Sequence, residues 1–258
     1  MSNFEILTPN ICNTTGIMSS YTSAFNTSTL WDRKPLNILS LETTAATNFQ
    51  WAFDTTQTVD RMYLQNINWE NFGIWFWTGT TYFNPSLTSA ATGTADWAQN
   101  SVTSLYLKFA STLTTTRIRI LLTSATSGDV RKIGQIYAGQ HKFTFANNPS
   151  HSQYKAKLSR SKASNQMASG GDLTTVFGDA YNARISMMFQ STTMRDNLKG
   201  LYDSATSFVI VPYPTGTSWE GDEAYLVNWV GDFNKQPAKN EYTSDAWNID
   251  MDLKEVAK

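Results

Sequence analysis

Cysteine and histidine are nearly absent from the sequence. Its 258 residues include one cysteine, Cys12, and two histidines, His141 and His151. One cysteine cannot form an intrachain disulfide, and no CxxC or HxxxH spacing is present to hold zinc. Neither histidine lies in a GxSxG, HExxH or Cys–His context, so no nucleophile with a positioned base is indicated. We therefore expect a protein that is not an enzyme and has no cofactor, with a loop calcium ion as the only metal left open.

Charged residues and long apolar runs are also scarce. Charged side chains make up 16% of the chain and the net charge is −1, so bulk electrostatics does not recruit nucleic acid or acidic membranes. No stretch approaches the roughly 18 apolar residues of a membrane span, and the first residues have neither a basic nor an apolar signal region. We expect a soluble protein that is made in a cytoplasm, has no membrane partner, and has much of its surface covered by partner proteins.

The clearest fold signal lies at residues 49–77, where apolar side chains recur with a period of two. Their sequence is FQWAFDTTQTVDRMYLQNINWENFGIWFW, and the turn-forming residues at 54–58 and 68–73 separate the predicted strands. Aromatic residues make up 13% of the chain, and Thr, Ser and Asn are abundant, which is typical of β-rich proteins. Further strand patterns occur at 36–41, 104–110, 117–122 and 133–137. The first part of the chain is therefore predicted to be an antiparallel β-sandwich.

Three segments carry a family resemblance. They are LWDRKPLNILSL at 30–41, FQWAFDTTQTVDRMYLQNI at 49–67 and TTTRIRILLTSATSGDVRKIGQIYAG at 114–139. Together they resemble the galactose-binding-like jelly roll of the discoidin and coagulation-factor C-type family, with a Trp31-Asp32 turn, Trp51 in a strand, and a later Arg117-Ile118-Arg119-Ile120 strand. The disulfide of secreted members and an obvious sugar-binding signature are absent. The resemblance covers residues 1–139 and implies the jelly-roll fold more than a ligand.

The predicted loop region at 78–100 carries Tyr82, Phe83 and Trp97. Aromatic rings on loops at one end of a sandwich can stack on the C–H face of a pyranose, which makes these three residues candidate glycan contacts. Two alternatives stay open, because the rings could also plug the end of the sandwich or pack against a neighbouring subunit.

A second domain is predicted at 140–258. It contains a basic segment, YKAKLSRSK, then a strand at 181–190, a helix at 194–204 with an N-cap in 191–193, and strands at 208–211, 224–230 and 246–253. Leu198 and Leu201 lie on one helical stripe and are expected to pack against the strand at 208–211.

Charge is divided unevenly within this second domain. Residues 140–199 carry eight Lys or Arg against three acidic residues, and residues 200–258 carry four against ten. We predict that the basic segment is an extended loop or hairpin that contacts the acidic part of a neighbouring subunit. The candidate contact residues are Lys155, Lys157, Arg160 and Lys162, and the alternative is an ordinary solvated surface.

The last segments of the chain carry a second resemblance. They are FVIVPYPTG at 208–216, YLVNWVGDF at 225–233 and WNIDMDLKEVA at 247–257. With the preceding strand and helix they resemble tail-tube-like domains of bacteriophage tail and baseplate proteins. The resemblance implies a small β-barrel with one α-helix that forms a homo-oligomeric ring, hexameric or trimeric. Such a ring would join the tail tube to tip or fibre proteins, as distal tail proteins do.

The expected fold is therefore mainly β, with an N-terminal jelly-roll β-sandwich and a C-terminal tail-tube-like β-barrel that has one α-helix. The expected protein is a structural component of a virion tail, synthesised in the cytoplasm of a bacterial host, with DNA passing only transiently through the lumen of its ring. The alternative is a carbohydrate-binding module for adsorption to the host surface.

Overall fold

The computed structural model describes residues 4–13, 39–41, 47–87, 95–97, 101–122, 131–145, 149, 153–166, 172–213, 219–220, 224–238 and 246–256. Within these residues the elements in chain order are β1 (Glu5–Leu7), a 3-10 turn (Ile11–Asn13), β2 (Leu39–Leu41), β3 (Thr47–Gln65), β4 (Phe72–Trp77), β5 (Tyr82–Phe83), β6 (Asp96–Trp97), β7 (Ser104–Leu122), β8 (Arg131–Ile133), β9 (Gln135–Gly139), β10 (His141–Thr144), β11 (Tyr154–Gln166), β12 (Asp172–Ser191), α1 (Thr192–Asp203), β13 (Phe208–Val211), β14 (Trp219–Glu220), β15 (Tyr225–Pro237) and β16 (Ala246–Glu255). The predicted mainly β fold is confirmed. The predicted turn at Trp31-Asp32 lies outside the described residues.

The chain folds into two compact units. Unit 1 comprises Met1–Phe145 and Phe208–Ala224, and unit 2 comprises Ala146–Ser207 and Tyr225–Lys258. The sequence analysis ended the first domain at 139 and gave the strand at 208–211 to the second. In the structure, β10 and β13 both belong to unit 1, because each pairs with one edge of β1.

Unit 1 contains a five-stranded antiparallel sheet in the order β5, β4, β7, β3, β9. The strand β6 pairs with β4, and β14 pairs with β7. One face of this sheet forms an apolar core, whose buried side chains include Trp51, Phe53, Ile74, Phe76, Ile118 and Ile120. Side chains alternate between the two faces of a strand. Residues 50, 52, 75, 77, 117 and 119 therefore point to the opposite face.

The turn predicted at 54–58 is instead part of a continuous strand. Ala52 pairs with Arg117 and Gln57 with Thr115, so four residues of β3 lie opposite one residue of β7 and form a bulge. The hydroxyl of Thr115 accepts hydrogen bonds from the N–H groups of Arg117 and Trp77, both at 3.1 Å. The two strands predicted at 104–110 and 117–122 are likewise one strand, β7, because its pairing with β3 continues on both sides of the bulge.

Unit 2 is an antiparallel sheet in the order β15, β16, β12, β11, with α1 packed on β12, β15 and β16. The helix begins at Thr192, two residues before the predicted start, and its N-cap is Ser191, within the predicted 191–193 segment. The Ser191 hydroxyl accepts a hydrogen bond from the Met194 N–H at 3.2 Å. Leu198 and Leu201 are buried as predicted. The surface that receives the helix differs from the prediction, since it is formed by these three strands of unit 2, whereas the expected partner, β13, belongs to unit 1.

Candidate functional site

The face of the unit 1 sheet that lies opposite the core carries a cluster of aromatic and arginine side chains. Its members come from four neighbouring strands, and we call them the Arg–aromatic surface: Gln50, Trp75, Trp77, Tyr82, Arg117 and Arg119. Arg117 is exposed, and the others are half-buried. The surface arises because the sequence WFW on β4 and RIR on β7 alternates between faces, which sends the central Phe76 and Ile118 into the core.

Cation–π contacts hold the two arginines over the rings. The guanidinium carbon of Arg119 lies 4.0 Å from the ring centroid of Tyr82 and 5.8 Å from that of Trp75. The guanidinium carbon of Arg117 lies 5.3 Å from the ring centroid of Trp77. Each such contact contributes roughly 0.5 to 1 kcal/mol at an exposed site. The rings therefore favour these positions of the two guanidinium groups.

Strand register and one tight turn explain how Tyr82 joins this surface. Tyr82 pairs with Trp77 across β4 and β5, and their ring centroids are 5.0 Å apart. The connection between the two strands closes through a hydrogen bond from the Thr78 N–H to the Thr81 carbonyl oxygen at 2.9 Å, with Gly79 at a φ of 101°. The Tyr82 hydroxyl then donates to Gln50 Oε1 at 2.6 Å.

Two N–H donors of the Arg–aromatic surface have no acceptor. Arg119 Nε and Trp75 Nε1 are both buried, and neither has a hydrogen-bond partner among the described residues. Buried donors without partners are rare in folded proteins, and each calls for an explanation. The surface therefore carries the positive charge of two guanidinium groups above two buried donors that lack an acceptor among the described residues.

A carboxylate limits the surface at its other end. A side-chain carbon added to Gly73, which is two residues before Trp75, would come within 2.2 Å of Asp96 Oδ1. A larger residue at this position would therefore displace the Asp96 carboxylate, which crosses β4 here. Burial raises the pKa of Asp96, and the nearby amide of Asn84 opposes that shift. Positive charge is concentrated at the Arg117 end of the surface.

The three predicted glycan contacts do not form one platform. Tyr82 belongs to the Arg–aromatic surface, but the ring of Phe83 faces the core, 6.3 Å from the ring of Phe76. Trp97 pairs with Phe72, at the opposite end of β4 from Trp77, and its side chain lies outside the described residues. The sequence analysis missed the arginines and the two tryptophans, although the alternation in WFW and RIR was a signal that could have identified them.

Of the two conformations predicted for the subunit-contact residues, an extended loop or a hairpin, the structure shows the hairpin. All four belong to β11, which pairs with β12 as a long hairpin. Lys155 and Lys157 are exposed, whereas the side chains of Arg160 and Lys162 fall outside the part of the chain that is described.

Some of the uneven charge of this region is balanced within the subunit. Arg184 lies 3.7 Å from Asp250 and 3.8 Å from Asp252 on the neighbouring strand β16. On α1, Lys199 pairs with Asp203. The complementarity that the sequence analysis assigned to a subunit contact is therefore partly internal.

A network of buried charges lies elsewhere in unit 1. Glu5 Oε2 is 3.3 Å from Arg61 Nε and accepts a hydrogen bond from the Tyr106 hydroxyl at 3.1 Å. Glu5 Oε1 is 3.8 Å from Lys108 Nζ. Burial and the charge of Glu5 both raise the pKa of Tyr106, which therefore stays a neutral hydrogen-bond donor. Glu5 contacts Arg61 of β3 and both Tyr106 and Lys108 of β7, so the network connects β1 to these two strands.

Asp60 and His141 form the second half of this network. His141 Nδ1 lies 2.7 Å from Asp60 Oδ2, and the His141 N–H donates to Asp60 Oδ1 at 2.8 Å. Burial by itself would raise the pKa of Asp60, but the hydrogen bonds from His141 and the charges of His141 and Arg61 outweigh it and lower the pKa. The folded protein therefore favours the ionised carboxylate.

We expect Asp60→Asn to flatten the acid dependence of stability. A carboxyl whose pKa is lowered by folding contributes stability above its unfolded pKa of about 3.8, and this contribution is lost as the pH falls through the folded value. Urea denaturation of the wild type should therefore show a free energy of unfolding that falls more steeply below about pH 4 than that of the variant. Asp54→Asn, an exposed carboxylate on the same strand, is the control. Parallel curves for the wild type and Asp60→Asn would contradict the role of this pair.

Within the described residues, no group of three or more His, Cys, Asp and Glu side chains is arranged to hold a metal ion. The same part of the chain has no helix long and apolar enough to cross a membrane.

Comparison with known proteins finds likenesses in structure alone. No protein-family model matches the chain, and no curated protein matches it. A family 32 carbohydrate-binding module from a Clostridium perfringens family 31 glycoside hydrolase aligns with 12% identity and a TM-score of 0.38, covering 50% of this chain and 96% of the module. A chitosan-binding module of a Paenibacillus sp. IK-5 chitosanase/glucanase has 12% identity and a TM-score of 0.42, covering 55% of this chain and 100% of the module. A family 32 carbohydrate-binding module of Streptococcus pneumoniae EndoD has 9% identity and a TM-score of 0.39, covering 50% of this chain and 98% of the module. Each of these modules aligns with about half of this chain.

Proposed function

We propose that this chain is a non-catalytic structural protein that assembles into a homo-oligomeric ring through unit 2. The observation that carries the proposal is β11, a 13-residue strand that forms one edge of the unit 2 sheet. Among the described strands of unit 2, β11 pairs only with β12. An edge strand presents a row of backbone N–H and C=O groups that a second chain can pair with. A long edge strand at the rim of a helix-covered sheet fits side-by-side assembly.

Charge would give this assembly its direction. Lys155 and Lys157 are exposed on β11, while β15 carries one exposed acidic residue, Asp232, and one exposed lysine, Lys235. In a closed ring, one surface of each subunit meets a different surface of its neighbour. The basic strand β11 would be complementary to an acidic surface of the neighbouring subunit drawn from the acid-rich residues 200–258, and such a contact would disfavour reversed pairing.

The ring belongs, in this proposal, to the distal end of a phage tail or a related injection particle. It would connect the tail tube to tip or fibre proteins, and DNA would pass through its lumen without lasting contact. The acidic residues of 200–258 repel phosphates, which suits such a passage. The proposal rests on the resemblance of 208–257 to tail-tube-like domains together with the geometry of β11.

Reversing the charge of β11 tests the ring. In the full chain, we expect Lys155→Glu combined with Lys157→Glu, and the quadruple change that adds Arg160→Glu and Lys162→Glu, to leave folded subunits that do not assemble. The mass from light scattering and negative-stain images are the measurements. Wild-type assembly should also weaken with salt, because exposed charges are screened within about 8 Å at physiological ionic strength.

The control reverses two exposed lysines away from β11, Lys132 on β8 and Lys199 on α1. This variant should assemble as the wild type does. The proposal would be contradicted if the wild-type chain stays monomeric at every concentration. It would also be contradicted if a β11 variant builds normal rings.

The Arg–aromatic surface favours a second candidate function, which is carbohydrate binding. Trp77 and Tyr82 are half-buried side by side, and the Gln50 amide lies within hydrogen-bond distance of the Tyr82 hydroxyl. Aromatic rings beside a few convergent polar groups are typical of small-ligand sites. The two functions are compatible, because a ring formed by unit 2 can carry a ligand-binding unit 1.

A further inference from the structure

We propose that the Arg–aromatic surface binds an acidic saccharide, which is a sugar chain that carries carboxylate or sulfate groups. This inference rests on the second candidate function and specifies its ligand class. It is independent of the ring formed through unit 2. The site it assigns is the face of the sheet and not the loops at the end of the sandwich.

The position of the arginines argues against a neutral sugar stacked on these rings. Arg119 covers the ring of Tyr82 at 4.0 Å, and Arg117 lies over the ring of Trp77 at 5.3 Å. Those ring faces are therefore occupied by guanidinium groups. The outward edge of each guanidinium presents N–H donors in a fixed plane, which is the arrangement that binds a carboxylate or sulfate through two parallel hydrogen bonds. Because the rings fix these planes in advance, little side-chain freedom is lost on binding.

The spacing of the arginines indicates more than one anionic group on the ligand. Arg117 and Arg119 lie on the same face of β7, two residues apart, which places their backbones about 7 Å from each other at a rise of about 3.4 Å per residue. Each guanidinium is also held over a different ring, Arg117 over Trp77 and Arg119 over Tyr82, so each presents its donors to a separate anionic group. Anionic groups that repeat along an extended chain can pair with both.

The neutral groups beside the arginines suit the hydroxyls of a sugar. Gln50 Oε1 accepts from the Tyr82 hydroxyl at 2.6 Å, which leaves the Gln50 amide nitrogen as a donor. The turn between β4 and β5 adds the exposed hydroxyl-bearing residues Thr78, Thr80 and Thr81 next to Trp77. Arg119 Nε and Trp75 Nε1, which lack acceptors among the described residues, lie beneath the same surface.

Asp96 sets the direction of binding. Its carboxylate lies against Gly73, at the end of the surface away from Arg117. A ligand carboxylate would be repelled there and attracted at the Arg117 end. The acidic groups of the ligand are thus placed over β7 and the β4–β5 turn.

The test is isothermal titration calorimetry of the full chain with tetragalacturonate as the probe. Its fully methyl-esterified form is the matched control, since it has the same backbone without the charges. We expect the tetragalacturonate to bind and the ester to bind at least about tenfold more weakly. Arg117→Gln, at an exposed position, should weaken binding about tenfold. Arg119→Lys keeps the charge but loses the planar pair of donors, so a similar loss is expected.

Arg184→Gln, which removes an arginine from unit 2, is the control variant and should bind as the wild type does. Melting curves of all variants verify that they fold. No binding of tetragalacturonate, or binding unchanged in Arg117→Gln, would overturn the proposal. If the ester binds as well as the acid and Tyr82→Ala abolishes both, the acidic class is wrong while carbohydrate binding stands. Equal binding of a short polyglutamate peptide would also overturn it, because the surface would then recognise acidic protein segments.

Discussion

Replacing Glu5 by glutamine is expected to lower the free energy of unfolding by about 3 to 5 kcal/mol, which is the usual cost of removing one partner from a buried ion pair. The Glu5 side chain is 9% exposed, and its two cationic partners, Arg61 and Lys108, are 14% and 6% exposed. An amide at this position keeps the shape of the side chain but removes the negative charge. The two cations then lose the anion they share, and Arg61 keeps the Asp60 carboxylate at 3.9 Å. The loss comes from two buried positive charges that are less well balanced than before.

A surface carboxylate provides the control for this prediction. Asp203 pairs with Lys199 one helical turn earlier on α1, and both side chains are about half exposed, at 54% and 50%. Pairs of this kind contribute about 0.3 to 0.5 kcal/mol. Urea denaturation of Asp203→Asn should thus give a midpoint close to that of the wild type, and Glu5→Gln a clearly lower one. Equal midpoints for the two variants would show that the Glu5 network does not stabilise the fold.

Local patterning was sufficient to predict two elements of unit 2, which are β16 and α1. The alternation of Ile249, Met251 and Leu253 with polar residues predicted β16, and all three side chains are buried. Ser191 predicted the start of α1, because an N-cap hydroxyl followed by an apolar stripe is a local signal. Both features depend on residues that are close in sequence, which is why they could be found without the structure.

Pairing between distant residues could not be predicted in this way. The Thr-rich stretch at 54–58 has the composition of a turn, and only its register against Thr115 makes it a bulge in a continuous strand. Glu5 lies in a short N-terminal strand, and its burial depends on Tyr106 and Lys108, about a hundred positions away. The assignment of 208–211 to the second domain differed from the structure for the same reason, since only pairing with β1 places this strand in unit 1.

The candidate site was found only in part, also for reasons of register. Tyr82 could be identified because aromatic residues near a predicted turn are visible in sequence. Its neighbours Arg117 and Arg119 read as ordinary outward-facing positions of a strand until β7 is placed beside β4. Phe83 was predicted to join Tyr82 because the two are adjacent in sequence. Adjacent residues of a strand point to opposite faces, so the ring of Phe83 lies on the core side. A surface built across four strands has no contiguous sequence signal.

Leu198→Ala is expected to lower the free energy of unfolding by about 2 to 5 kcal/mol. Leu198 is fully buried on α1, which packs on β12, β15 and β16, so the truncation leaves a cavity between the helix and the sheet. The cost is the lost burial of the removed carbon atoms plus the cavity that the surroundings fail to fill. Because helix propensity favours alanine over leucine only slightly, a loss of this size must come from packing.

The neighbouring variant Asn197→Ala separates packing from propensity. Asn197 is exposed, and alanine is the better helix former, so this change should leave stability unchanged or raise it slightly. Urea denaturation monitored by tryptophan fluorescence compares the two, with Trp229 of β15 as a reporter because its ring lies 5.5 Å from that of Tyr202 on the helix. If Leu198→Ala and Asn197→Ala unfold at the same denaturant concentration, the helix does not depend on its contact with the sheet. The stability of unit 2 would then have to come from the pairing of its four strands.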